Sequence, residues 1–269
     1  MLHVARVPPD PAAPPDRALP GLSWRAVDGT EVAGQVSAWL RPDERCFLYF
    51  DTWQPAAYRP LADAVARDLG RDLYVSLDDA EFDALEACEA AGFAEHRRES
   101  YYRIRTDPEL TGLAGVTLPA GLGVLSAADA DISRLRLLDD ALRQDVPGSD
   151  GWRWEPGAFL AETFGDSFDP ATYLVAVAAS SGEYAGLARV WIRPDEPRLG
   201  LIAMLPAYRR SGAARALLAL AFGVLSARGE PTVVAEVDDA NVACTALLTG
   251  LGARRYGGSV ELLRRHPAG

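Results

Sequence analysis

Apolar positions along this chain recur at two spacings, every second residue and every third or fourth. The switches between the two spacings lay out the elements. Early in the chain, residues 22–27 read as a short strand, Glu31–Leu40 as a helix and 46–50 as a compact aromatic strand. Tyr58–Leu69 sets Leu61, Ala64, Val65 and Leu69 on one helical stripe, with Gly70 placed to stop it. Residues 73–77 predict a strand, 80–91 a helix closed by Gly92, and 98–105 a strand carrying tyrosines.

The pattern restarts after Asp107-Pro108. Residues 122–125 predict a strand, and 129–142 a helix with Ile132, Leu135, Leu137 and Leu138. A loop over 144–154 and a second helix over 156–164 follow. Tyr173–Ala178 and 184–192 read as a hairpin across Ser181-Gly182. Next come a buried strand over 201–205, closed by Pro206, and Ala213–Ala227, which is rich in helix formers. A strand over 233–237, a helix over 241–251 and a last strand over 259–263 complete the chain. Residues 1–20, with Pro8-Pro9-Asp10-Pro11 and Pro14-Pro15, predict an extended arm without a core.

The two halves repeat each other. Leu73-Tyr-Val-Ser-Leu-Asp-Asp-Ala-Glu81 aligns without gaps on Val233-Val-Ala-Glu-Val-Asp-Asp-Ala-Asn241, and the same offset carries Gly92 onto Gly252. Upstream, Ala57-Tyr58-Arg59 echoes Ala207-Tyr208-Arg209. The expected division is an arm over 1–20, a first domain over 21–110 and a second over 111–269.

Composition narrows the function. The 269 residues suffice for two domains of about 100–150 residues each. With 49% hydrophobic and 24% charged residues the chain reads as globular. No apolar run approaches the ~20 residues of a membrane helix, and no basic start precedes an apolar stretch, so a cytoplasmic protein without a membrane partner is expected. Cys46, Cys88 and Cys244 are scattered inside apolar patterns and read as buried free thiols. The three histidines lie far apart, and no metal site is expected. A net charge of −11 argues against nucleic acid. It suits a positively charged ligand, or simply solubility. Every base is an arginine, which reflects codon bias and not chemistry.

The candidate chemistry centres on Arg209-x-x-Gly212-x-Ala214, between the strand closed by Pro206 and the helix Ala213–Ala227. Small residues in such a turn bring the backbone close to a ligand, and the helix start offers unpaired N–H groups to an anion. An ordinary strand–turn–helix corner with surface arginines is the alternative for the short motif alone. The spacing resembles the pyrophosphate loop of the GNAT acetyltransferases, R/Q-x-x-G-x-G/A, and the order β-α-α-β-β-β-α-β-α-β is similar to theirs. Downstream, Glu236, Asn241, Cys244, Leu247, Leu248, Gly252 and Ala253 are similar to the family's E-x-x-x-x-N-x-x-A-x-x-L-Y-x-x-x-G-F.

The resemblance covers 121–265 well and the first half weakly, since Ala62 follows Pro60 where a loop glycine would stand. It implies an α/β (α+β) tandem GNAT fold, with a mixed, mostly antiparallel central sheet flanked by helices in each half. The first half would be degenerate and the second catalytic. It further implies acetyl-CoA as cosubstrate. The backbone of Ile202, Ala203 and Met204 would hold its pantetheine arm and thioester carbonyl. Arg209, Arg210, Ser211, Gly212, Ala213, Ala214 and Arg215 would hold its pyrophosphate. Asn241 would contact the arm, cap its helix, or both. Glu236 is the candidate general base, with a salt-bridged strand residue as its alternative reading. Leu248 departs from the family's tyrosine, leaving the departing thiolate without its usual acid.

The resemblance implies transfer of acetyl to a primary amine of a small acceptor by direct attack, by a monomer or homodimer. The acceptor side falls on Asp139, Asp140, Asp145, Asp150, Trp152, Trp154, Glu155 and Glu162, which suits a cationic acceptor through ion pairing and cation–π contact. The alternative there is a solvated acidic helix face. An acyl-CoA-binding sensor without turnover is the rival reading of the whole chain.

Overall fold

The computed structural model describes residues 2–7, 22–41, 43–52, 54–147, 149 and 151–266. In chain order the elements are β1 (His3–Val7), β2 (Ser23–Asp28), β3 (Glu31–Leu40), β4 (Cys46–Thr52), α1 (Tyr58–Leu69), β5 (Leu73–Asp78), α2 (Phe82–Ala90) and β6 (Ala94–Arg105). There follow α3 (Pro108–Thr111), β7 (Leu122–Ser126), α4 (Ile132–Arg143), α5 (Pro156–Thr163), β8 (Tyr173–Ala178) and β9 (Tyr184–Trp191). The chain closes with β10 (Arg198–Met204), α6 (Ala213–Ala227), β11 (Thr232–Asp238), α7 (Val242–Thr249) and β12 (Arg254–Arg264). Two compact units result, Met1–Glu99 with Gly257–Gly269, and Ser100–Tyr256. The chain thus passes from one unit to the other within β6 and returns within β12. None of the described helices is long and apolar enough to cross a membrane.

In the first unit the strand order is β1-β2-β3-β4-β5-β12. Among the described residues these strands pair antiparallel, except β4 with β5, which is parallel. Leu61 and Val65 of α1 and Cys88 of α2 bury their apolar faces with Trp24, Val36, Leu73 and Val75. The last strand was expected with the second half. Instead, Ser259–Arg264 pairs with β5, and Val260 and Leu262 complete this core.

Two expectations fail here for the same reason. Glu31–Leu40 is a strand and not a helix, because Gly29-Thr30 closes a two-residue hairpin that sets Asp28 opposite Glu31. The long pairing with β4, from Leu40 opposite Cys46 to Gly34 opposite Thr52, then outweighs local helix preference. The arm over 1–20 includes β1, which pairs with β2 from His3 opposite Val27 to Val7 opposite Ser23. Residues 8–20 lie outside the described residues.

In the second unit the order is β6-β11-β10-β9-β8-β7. Helices α4 and α5 cover one face, where Leu135, Leu138, Leu142 and Phe159 meet Tyr173, Val175, Leu187 and Leu201. Helix α6 covers the other, where Leu217, Leu218, Phe222 and Leu225 meet Ala188, Val190, Leu199 and Val233. Burying a side chain of this kind contributes about 1.5–3 kcal/mol relative to exposure. Each unit is therefore a mixed, mostly antiparallel sheet with flanking helices, as the resemblance implies.

The sequence repeat is a structural repeat. Glu81 and Asn241 precede their helices with φ −83° and ψ 58° and 68°. Asp78 Oδ1 accepts from Ala80 N–H at 2.9 Å, and Asp238 Oδ1 from Ala240 N–H at 2.8 Å. Phe93 N–H bonds Cys88 O, and Ala253 N–H bonds Leu248 O, both at 3.1 Å.

Candidate active site

The second unit's sheet opens between β10 and β11. Among the described residues they pair only at the parallel match of Arg198 with Val234, and a bulge between Leu199 and Leu201 shifts β10 against β9. Beyond that point the backbone of Ile202, Ala203 and Met204 pairs with β9, and no strand among the described residues pairs with it on the other side. Met204 is buried, while Ile202 and Ala203 are half-buried.

The chain then makes a single 3-10 turn over Pro206–Tyr208 and enters α6 through Arg209–Gly212. Arg210 stands at φ 61° and Gly212 at φ 90°. Backbone alternating through the left-handed region turns successive N–H groups toward one point, the geometry of an anion nest. Gly212, the residue before α6, has no side chain to cap it; Ala213 N–H reaches Ser211 Oγ at 3.4 Å, and the first turn closes with Ala216 N–H to Gly212 O at 3.1 Å. The N–H groups of Ala214 and Arg215 precede that closure and face outward with the positive end of the helix dipole. A Cβ on Gly212 would meet nothing within 4 Å, so the space beside it is open.

Side chains brace this turn. Arg209 Nε donates to Met204 O at 2.9 Å, and its guanidinium pairs with Asp145. Ser211 Oγ donates to Tyr208 O at 2.7 Å, and the Tyr208 hydroxyl donates to Glu183 at 3.0 Å. Arg215 reaches Gly112 O at 2.8 Å. Ala213 is fully buried and anchors the helix start in the core.

Among the described residues the first unit has no such turn at the start of its central helix. Helix α1 begins at Tyr58, directly after a 3-10 turn over Pro55–Ala57. Pro60 removes one donor from its first turn.

Glu236 projects from β11 and pairs with Arg198 of β10 across the opening. Asn241 caps α7, its Oδ1 accepting from Cys244 N–H at 3.1 Å. Leu248 is fully buried in the core, so no acid replaces the missing tyrosine at that position. Burial pushes the Cys244 thiol up to about 11 and Cys88 up to about 12, which keeps both protonated and poorly nucleophilic near neutral pH. Among the described residues no group of three His, Cys, Asp or Glu side chains is arranged to hold a metal.

Three of the acidic residues expected to draw a cationic acceptor, Asp139, Asp140 and Asp145, are paired with arginines. Asp139 is fully buried, between Arg143 and Arg189, and also accepts from Trp154 Nε1 at 2.8 Å. Burial alone raises the Asp139 carboxyl, but the two guanidiniums outweigh it and hold it below the ordinary carboxylate value. Asp140 accepts from Arg136 at 3.1 Å and from Trp154 N–H at 2.9 Å, and Asp145 pairs with Arg209. Arg143 lies 5.6 Å from the Trp152 ring centroid and 5.4 Å from that of Trp154, the position an incoming ammonium would take. Glu155 and Glu162 are exposed, and Asp150 lies outside the described residues.

Arg189, Trp191 and Arg198 on this same face escaped the sequence reading. The signal was present: strand alternation places Arg189 between the inward Leu187 and Trp191.

Residues 135–253 match the model of the acetyltransferase (GNAT) family. In structure the chain is similar to the GCN5-related N-acetyltransferase of Sphaerobacter thermophilus. The identity is 18% and the TM-score 0.71, over 95% of this chain and 84% of that one. It is also similar to a tandem GNAT protein from the clavulanic acid biosynthesis pathway, at 15% identity and TM-score 0.64, over 92% and 83%. A GCN5-related N-acetyltransferase from Kribbella flavida gives 17% identity and TM-score 0.58, over 89% of both chains. No curated protein matches the chain in sequence. The parted strands, the glycine-led helix start and the family match fall on one stretch: residues 135–253 are an acetyltransferase domain of the GNAT family, and the chain is an acyltransferase.

Proposed function

We propose that the second unit transfers the acetyl group of acetyl-CoA to a primary amine of a small molecule by direct attack. The observation that carries this reading is the nest at Arg210–Gly212, opening onto the start of α6 beside the parted β10 and β11. Its N–H groups and arginines bind the pyrophosphate, and the one-sided backbone of Ile202–Met204 bonds the pantetheine arm. Backbone N–H groups of the same stretch stabilise the oxyanion formed when the amine nitrogen adds to the thioester carbon. The carbon–sulfur bond then breaks, and the sulfur leaves as thiolate to take a proton. A thiol of pKa about 8.5 leaves without an acid in place of Leu248. Glu236 removes the ammonium proton that would otherwise block attack, directly or through water. Asn241 keeps its cap and offers its amide to the arm. The first unit, without a nest, does not bind acetyl-CoA.

The test is thiol release from acetyl-CoA across a panel of small amines, with wild type and Glu236→Gln. Turnover should appear, and kcat of the variant should fall by roughly 10²–10⁴, the usual worth of general base catalysis, at nearly unchanged acetyl-CoA affinity. The loss should shrink as pH rises and more acceptor arrives as free amine. Equal activity across the pH range rejects Glu236 as the base. Acetyl-CoA binding without thiol release from any amine favours the sensor.

A further inference from the structure

One cluster on the α4–α5 face has no part in that mechanism. Trp191 and Arg198 are opposite partners on β9 and β10, and the Trp191 ring lies across Gly200, where a Cβ would come within 2.7 Å of it. Only glycine leaves room for the ring. The Arg189 guanidinium stands 4.8 Å from the Trp191 ring centroid and that of Arg198 5.2 Å, while Arg189 also lies 5.6 Å from the Tyr173 ring.

Arg189 is 1% exposed, and its Nη1 donates to Asp139 at 2.9 Å. Its Nε and Nη2, together with Arg198 Nε, are buried and find no acceptor among the described residues. The Tyr173 hydroxyl is buried beside Arg189. Folded proteins pair buried donors almost without exception, so a group of them on one face calls for a partner from outside. The charges agree: among the described residues Arg143, Arg189 and Arg198 share two carboxylates, Asp139 and Glu236, and Arg193 also stands 5.9 Å from the Trp191 ring centroid. The open guanidinium positions are all donors, two of the groups are planar forks, and the walls are aromatic. That combination matches a single carboxylate.

We propose that the acceptor is anchored here by a carboxylate, held on Arg189 and Arg198 against Trp191, and is therefore an amino acid or another small amine carrying a carboxylate. The inference rests on the acetyl-transfer reading and deepens it. Arg198 also holds Glu236, so the anchor adjoins the proposed base. The side chains of Arg198 and Glu236 are 19% and 33% exposed and give the cluster its way to solvent.

The experiment titrates the full chain calorimetrically with N-acetylated common amino acids and, in parallel, with their carboxamides. At least one acid should bind tenfold or more tightly than its own amide. That preference should vanish in Arg198→Gln and Arg189→Gln while acetyl-CoA affinity holds. Absence of any preference for acid over amide overturns the proposal, and so does a preference that survives in the variants. Should Arg189→Gln fail to fold, Arg198→Gln decides, since its side chain reaches solvent. Thiol release measured alongside separates the two readings: amines turned over without carboxylate preference sink the anchor alone, whereas acid binding without turnover sinks acetyl transfer.

Discussion

At the scale of single residues the site depends on backbone conformations that side chains resist. Gly212 at φ 90° lies where an L-residue costs about 1–2 kcal/mol, yet a Cβ there touches nothing. Gly212→Ala and Gly212→Glu should therefore lower the melting temperature by similar amounts. Only the glutamate brings negative charge and bulk to the nest. Its acetyl-CoA affinity, measured calorimetrically, should drop by roughly 10–100-fold below that of the alanine variant, the worth of a charge-assisted bond or two. Equal affinities in the two variants would reduce the turn to an ordinary corner. Leu248 makes the complementary point, for its full burial ties it to the core and leaves thiolate departure to the chemistry of the leaving group.

At the scale of elements, α4 is fastened to β9 by a buried ion pair. Asp139 sits between Arg143 on its own helix and Arg189 on the strand. Removing one partner leaves a buried charge uncompensated, so Asp139→Asn should destabilise by about 3–5 kcal/mol at neutral pH. The sign with pH follows from the depressed carboxyl. Stability from this pair is complete above the unfolded value of about 4 and is lost as pH falls through the lower folded value. Denaturant melts of wild type and variant should accordingly converge below about pH 4. A gap that stays constant with acidification would show that the pair contributes no linked stability.

At the scale of the whole molecule, the repeat has produced two units with unequal starts to their central helices. Helix α6 opens through a nest, whereas α1 opens straight from a 3-10 turn with Pro60 in its first turn. Acetyl-CoA titrated into the full chain should saturate at one site per chain, and two equivalent sites would overturn the asymmetry. The units also share the chain unequally, since β12 follows the second repeat in sequence yet pairs with β5 in the first unit. A cut along the sequence boundary would deprive the first core of Val260 and Leu262.

Much of this was written in local chemistry. Periodicity marked out α1 and the β8–β9 hairpin, a run of helix formers marked α6, glycines marked the ends of α1 and α2, and the Arg209–Ala214 spacing marked the nest. Such features depend on neighbours within a turn or two, so the sequence alone determines them. The tertiary structure decided what depends on distant partners. Glu31–Leu40 became a strand because β2 and β4 pair with it on both sides. Asp139, expected on the acceptor face, is buried and paired because Arg189, 50 residues away in the chain, folds against it. Pairing across such distances leaves no local trace, since a carboxylate on a helix reads the same whether water or an arginine from a remote strand completes it.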